Sequence, residues 1–62
     1  MRRVNTEPTE GQFVVMWTYN NEVWAETCKI IEGIRYTYND MEGDFILEDS
    51  EWPDVPLSFY VM

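Results

Sequence analysis

Two apolar runs separated only by a pair of asparagines set the strongest constraint on this chain. Phe13-Val14-Val15-Met16-Trp17-Thr18-Tyr19 is almost wholly β-branched and aromatic, Asn20-Asn21 interrupts it, and Glu22 to Ile31 resumes the pattern. Asn tolerates the positive φ that a type I′ turn needs at both central positions, so the segment predicts a β-hairpin with a two-residue loop. Such a loop fixes the register, with Trp17 opposite Trp24, Met16 opposite Ala25 and Val14 opposite Thr27. Glu32-Gly33 is a second break of the same length before the alternating Ile34-Arg35-Tyr36-Thr37-Tyr38, and it sets Ile31 against Ile34 and Thr27 against Tyr38. Asp40 to Gly43 makes a third break, Asp44 to Glu48 a short fourth strand, Asp49 to Pro56 an acidic loop, and Leu57 to Val61 a fifth strand. The expected fold is all-β, a small antiparallel five-stranded meander or partly open barrel. Residues 1–11, polar and containing Pro8 and Gly11, read as a polar N-terminal arm or frayed leader, and residues 12–62 as a single β domain.

A helix over residues 22–32 is the competing reading and would make the fold α+β. Asn21 would cap it, Gly33 would stop it, and Trp24, Thr27, Cys28 and Ile31 would share one stripe. Val23, Thr27, Ile30 and Ile31 are β-branched and lose side-chain freedom in a helix, which favours the strand.

Side chains alternate across a sheet, so the predicted registers sort the residues onto two faces. One carries Val14, Met16, Val23, Ala25, Ile31, Ile34, Tyr36 and Tyr38 with Lys29 as almost its only charge, and is the expected core. The other mixes Phe13, Val15, Trp17, Tyr19, Trp24, Cys28 and Ile30 with Glu22, Glu26, Arg35, Thr37 and Asn39. Two largely apolar faces imply closure into a barrel by the last two strands, a dimer through the aromatic face, or an aromatic site for another protein. Trp17, Tyr19 and Trp24 are therefore candidate partner or dimer residues, Trp being a frequent hot-spot residue. Trp52 joins them, as a large ring in an acidic loop must fold back onto the sheet, capping a barrel end, or anchor a partner.

Composition narrows the chemistry. The 62 residues include twelve Asp+Glu, four Lys+Arg, no His and one Cys, for a net charge of −8. Without His there is no Ser-His-Asp or Cys-His arrangement and no common zinc site, and Gly11, Gly33 and Gly43 are too scattered for a phosphate-cradling loop. Paired glycosidase carboxylates need a cleft with the two ~5–9.5 Å apart, and so small a domain leaves little volume to build one. Asp40, Glu42, Asp44 and Glu48 cluster, but Gly43 falls at position four of the run where a calcium loop needs it at six. No enzyme activity, cofactor or metal is expected.

Cys28 reads as a small buried filler. Pro53-Asp54-Val55-Pro56 matches P-x-x-P but lacks a basic flank, so it reads as a stiffened loop. No apolar run approaches the ~20 residues of a membrane helix, and Met1-Arg2-Arg3 leads into polar residues and not a secretory core, so a cytoplasmic location is expected. An anionic surface repels phosphate backbones and anionic lipids, which argues against direct nucleic-acid or membrane binding.

The charges are unevenly placed. No basic residue follows Arg35, and positions 40–54 hold seven carboxylates: Asp40, Glu42, Asp44, Glu48, Asp49, Glu51 and Asp54. Such a row keeps a small domain soluble. It also suits a basic protein partner, and on a rigid scaffold it can enter a nucleic-acid-binding groove by imitating DNA. This profile, tiny, His-free, acidic and aromatic-rich, resembles the small proteins that phages encode to bind and disable host enzymes, a resemblance of composition that carries no residue-level motif. The expected function is a non-enzymatic protein that blocks or modulates a basic partner through the acidic edge, in the host cytoplasm if viral. The alternative is a structural or assembly module that homodimerises through its aromatic sheet face.

Overall fold

A computed structural model describes residues 1–48 and 51–62. Six strands form one sheet: β1 (Arg2–Val4), β2 (Gly11–Tyr19), β3 (Glu22–Ile31), β4 (Ile34–Asn39), β5 (Asp44–Leu47) and β6 (Ser58–Val61). Their spatial order is β1-β6-β2-β3-β4-β5, with every neighbouring pair antiparallel and the sheet not closed into a barrel. Residues 22–32 contain no helix, and β3 runs through them as a strand and then a turn.

The hairpins follow from their turn residues. Asn20 and Asn21 sit at φ 52° and 63°, and Glu32 and Gly33 at 53° and 79°, the left-handed pairs that a type I′ turn requires. Both registers are those the two-residue loops dictate: Trp17 pairs with Trp24 and Val14 with Thr27, and Ile31 pairs with Ile34. The second ladder ends at Cys28–Thr37, one position short of Thr27 and Tyr38. The β4–β5 turn is closed by the Gly43 N–H donating to the Asn39 carbonyl (2.8 Å) and the Glu42 N–H donating to Asn39 Oδ1 (3.0 Å).

Three expectations are corrected. The N-terminal arm is not frayed along its length, because Arg2–Val4 pairs with β6 and makes a sixth strand. The last strand does not cover a face; it inserts beside β2, with Val15 opposite Phe59 and Phe13 opposite Val61. The third concerns the core. Phe13, Val15, Cys28 and Phe59 are buried, with Val4, Trp17, Ile30, Trp52, Leu57 and Val61 packed against them. This is the mixed aromatic and polar face. The face carrying Val14, Met16, Val23, Ala25, Ile31, Ile34, Tyr36 and Tyr38 is the outer one, with Val23 70% exposed and Ile31 and Ile34 nearly half exposed.

Trp52 explains the inversion. The segment joining β5 to β6 lays this ring on the sheet, its centroid 6.4 Å from that of Phe13 and 5.8 Å from that of Phe59. It lies over the sheet face and not at a barrel end. The polar residues of this face surround the ring: the Arg35 guanidinium stacks 4.0 Å from its centroid, and Trp52 Nε1–H donates to Glu26 Oε2 at 3.2 Å. A buried indole needs a hydrogen-bond acceptor and its face attracts a cation, so Glu26 and Arg35 complete this core.

Cys28 is fully buried, its Sγ 3.7 Å from Thr37 Oγ1. Burial pushes the thiol pKa up, and the Glu26 and Glu48 carboxylates add to the shift, against the opposing pull of Thr37 and Arg35. The native thiol is expected to resist an aromatic disulfide reagent at pH 8, while one thiol per chain reacts in urea; rapid reaction of the native protein would contradict this packing. Above the ordinary thiol value of 9.0 the unfolded chain loses this proton and the folded chain keeps it, so stability contributed here falls as pH rises.

Candidate functional site

The predicted acidic residues divide between two places. Asp40, Glu42 and Asp44 are exposed on the β4–β5 hairpin, and Glu48 follows the other end of β5. β5 is an outermost strand, so these four carboxylates flank an open sheet edge at both ends. The turn holds its shape through Asn39, and Asp44 Oδ1 accepts from the Phe45 N–H at 2.8 Å, which fixes that carboxylate beside the backbone. Glu48 is half-buried, and its N–H donates to the Arg35 carbonyl at 3.2 Å, extending the β4–β5 pairing past Leu47. Glu51 and Asp54 are exposed on the segment that crosses the core face. Asp49 lies outside the described residues.

The aromatic candidates also separate. Trp52 is committed to the core. Trp17 is half-buried at the margin of the core, whereas its cross-strand partner Trp24 is 47% exposed and Tyr19 is 50% exposed. All three stand on the core side of the β2–β3 hairpin, toward its tip. That tip overhangs the sheet: β6 pairs with β2 only over Phe13–Met16, and β4 pairs with β3 only over Cys28–Ile31. Beside the overhang, Met16, Thr18, Val23, Ser58 and Tyr60, together with Trp17 and Pro56, line a shallow hollow of about 330 Å³. Pro56 belongs to the P-x-x-P segment, which turns locally through the Val55 N–H donating to the Pro53 carbonyl at 2.9 Å.

The sequence reading missed what the outer face lacks. The carboxylates that fall within strands, Glu22, Glu26 and Asp44, all occupy register positions on the core side. The outer face carries two cations instead, Arg3 opposite Tyr60 and Lys29 opposite Tyr36. Lys29 Nζ sits 4.2 Å from the centroid of Phe45, which in turn meets Tyr38 edge to face at 5.4 Å. Val23, Ile31, Ile34, Tyr38 and Leu47 remain substantially exposed there. The signal was already in the predicted register, which puts Glu22 and Glu26 together on the other face.

Among the described residues, no three Cys, Asp or Glu side chains converge where a metal ion would sit, and no helix is long and apolar enough to cross a membrane. No family model matches the chain, and neither the curated proteins nor the solved structures contain a significant match to it.

Proposed function

We propose that this chain is a small, acidic, non-enzymatic binding protein that blocks or modulates a basic protein partner, in the manner of phage-encoded inhibitors of host enzymes. The observation that carries the reading is the placement of Asp40, Glu42 and Asp44, exposed together on one hairpin at the open β5 edge, with Glu48 at the far end of that strand. A short turn closed by Asn39 holds the first two in a fixed relation to the sheet. Carboxylates on a rigid hairpin, in a molecule of net charge −8, steer a basic surface toward one edge and orient it there. Nucleic-acid-binding grooves are basic surfaces of this kind, shaped for rows of negative charge.

Reversing Asp40, Glu42 and Asp54 to lysine tests the reading, since all three are exposed. The native chain, used as bait in a lysate, is expected to retain basic proteins at low ionic strength and release them at about 0.5 M salt, where screening falls to a few ångströms. The triple variant is expected to retain none of them while its far-UV circular dichroism is unchanged. Equal retention by the variant, or retention indifferent to salt, would refute the proposal.

A further inference from the structure

Among the described residues, nothing is packed over the outer face of the sheet, where several large apolar side chains are exposed. A sheet reaches a stable arrangement by burying each apolar face against another layer, and here the Trp52 segment supplies that layer on one side only. On the other side Val23, Ile31, Ile34, Tyr38 and Leu47 are between 42% and 70% exposed. Large apolar side chains gathered on one exposed face mark a surface where something docks.

We propose that this face packs against the same face of a second copy, so that two sheets form a homodimer with a core between them. Three observations select a second copy as the occupant. First, a chain of net charge −8 repels itself wherever carboxylates meet, and the outer face has no carboxylate at any strand position, because Glu22, Glu26 and Asp44 all fall on the opposite side. Two copies meeting there keep those charges outside the new core. Second, the charged groups at the strand positions of this face are the cations Arg3 and Lys29, the latter held over the Phe45 ring of its own chain. A basic partner finds no anionic group in the strands of this face and is drawn elsewhere.

Third, the size is right. The molecule measures 31 × 26 × 20 Å, and six strands spaced about 4.8 Å apart with up to about 3.4 Å rise for each residue account for the two longer dimensions. The 36 residues in its strands, each covering about 3.4 by 4.8 Å, make a face of about 590 Å², near the lower end of what stable interfaces bury on each partner. Two such sheets stack about 10 Å apart with their strands rotated by roughly 30°. A two-fold axis through the face makes each residue's contact reciprocal.

This inference does not rest on the acidic-edge reading, and either stands without the other. Sedimentation equilibrium of the native chain tests it directly: a mass twice the 7.5 kDa of one chain is expected at micromolar concentration, and a monomer that persists to about millimolar concentration, where interactions weaker than about 4 kcal/mol are lost, overturns it. Ile34→Lys and Val23→Lys, tested separately, place a charge in the apolar interface and are expected to weaken dimerisation by about a hundredfold or more. Trp24→Lys, on the core side of the hairpin, is expected to leave it unchanged. A dimer that survives both outer-face substitutions, or one that Trp24→Lys dissociates, places the interface elsewhere and refutes the proposal.

Discussion

Phe13→Ala is expected to cost about 3–5 kcal/mol of folding stability, the range for removing a large aromatic ring from a packed interior. Phe13 is fully buried, meets Phe59 edge to face at 6.1 Å between centroids, and lies under Trp52. A chain of 62 residues has a total stability of only about 3–9 kcal/mol at the usual 0.05–0.15 kcal/mol per residue. The variant is therefore expected to be largely unfolded at 37 °C, with no cooperative urea transition by far-UV circular dichroism. Val14→Ala, one residue along and on the outer face, is expected to cost about 1 kcal/mol or less when measured on dilute, separate chains. If Val14→Ala proves the more damaging, the core lies on the other face.

The second large effect concerns a residue outside every strand. Trp52→Ala removes the ring that covers Phe13 and Phe59, the donor to Glu26 and the platform beneath Arg35. The loss is expected to approach that of Phe13, about 3 kcal/mol, because the hydrogen bond to Glu26 and the stacking of Arg35 go together with the cover over the buried rings. Trp52→Phe separates the terms: it keeps most of the ring packing and loses only the hydrogen bond, for about 1–2 kcal/mol. Urea midpoints followed by circular dichroism measure both variants without depending on the indole that has been removed. Equal losses for the two would mean that the hydrogen bond to Glu26, and not the covering of the core, carries the stability.

These two residues also show where the sequence was legible. Asn20-Asn21 and Glu32-Gly33 fix the turns locally, and a two-residue turn fixes register, so strand pairing followed from short-range chemistry alone. Which face turns inward is a long-range property. Glu26 and Arg35 made the Phe13 face the more polar of the two, and the return of Trp52, twenty-six positions after Glu26, brings both side chains onto its ring. The sixth strand was hidden for the same reason: Arg2–Val4 is too short and too charged to declare itself and exists because β6 offers an edge. The acidic turn residues were legible as turn residues, since Asp, Asn and Gly form turns wherever they fall. That they flank an edge strand depends on the strand order, which β6 sets by crossing to β2.

That crossing has a consequence for the order in which the molecule assembles. Strands β2 through β5 are joined by turns of two to four residues, and such hairpins close in about 1–10 μs. β6 must instead find β2, bringing Tyr60 beside Val14 across a long stretch of chain, at the entropic cost of a large loop. Among the described residues β1 pairs with β6 alone, so it is expected to settle only after that step. The late step also carries Trp52 onto Phe13. Until the C-terminal strand docks, the meander lacks the ring that covers Phe13, so the longest loop closure is also the one expected to decide which side becomes the interior.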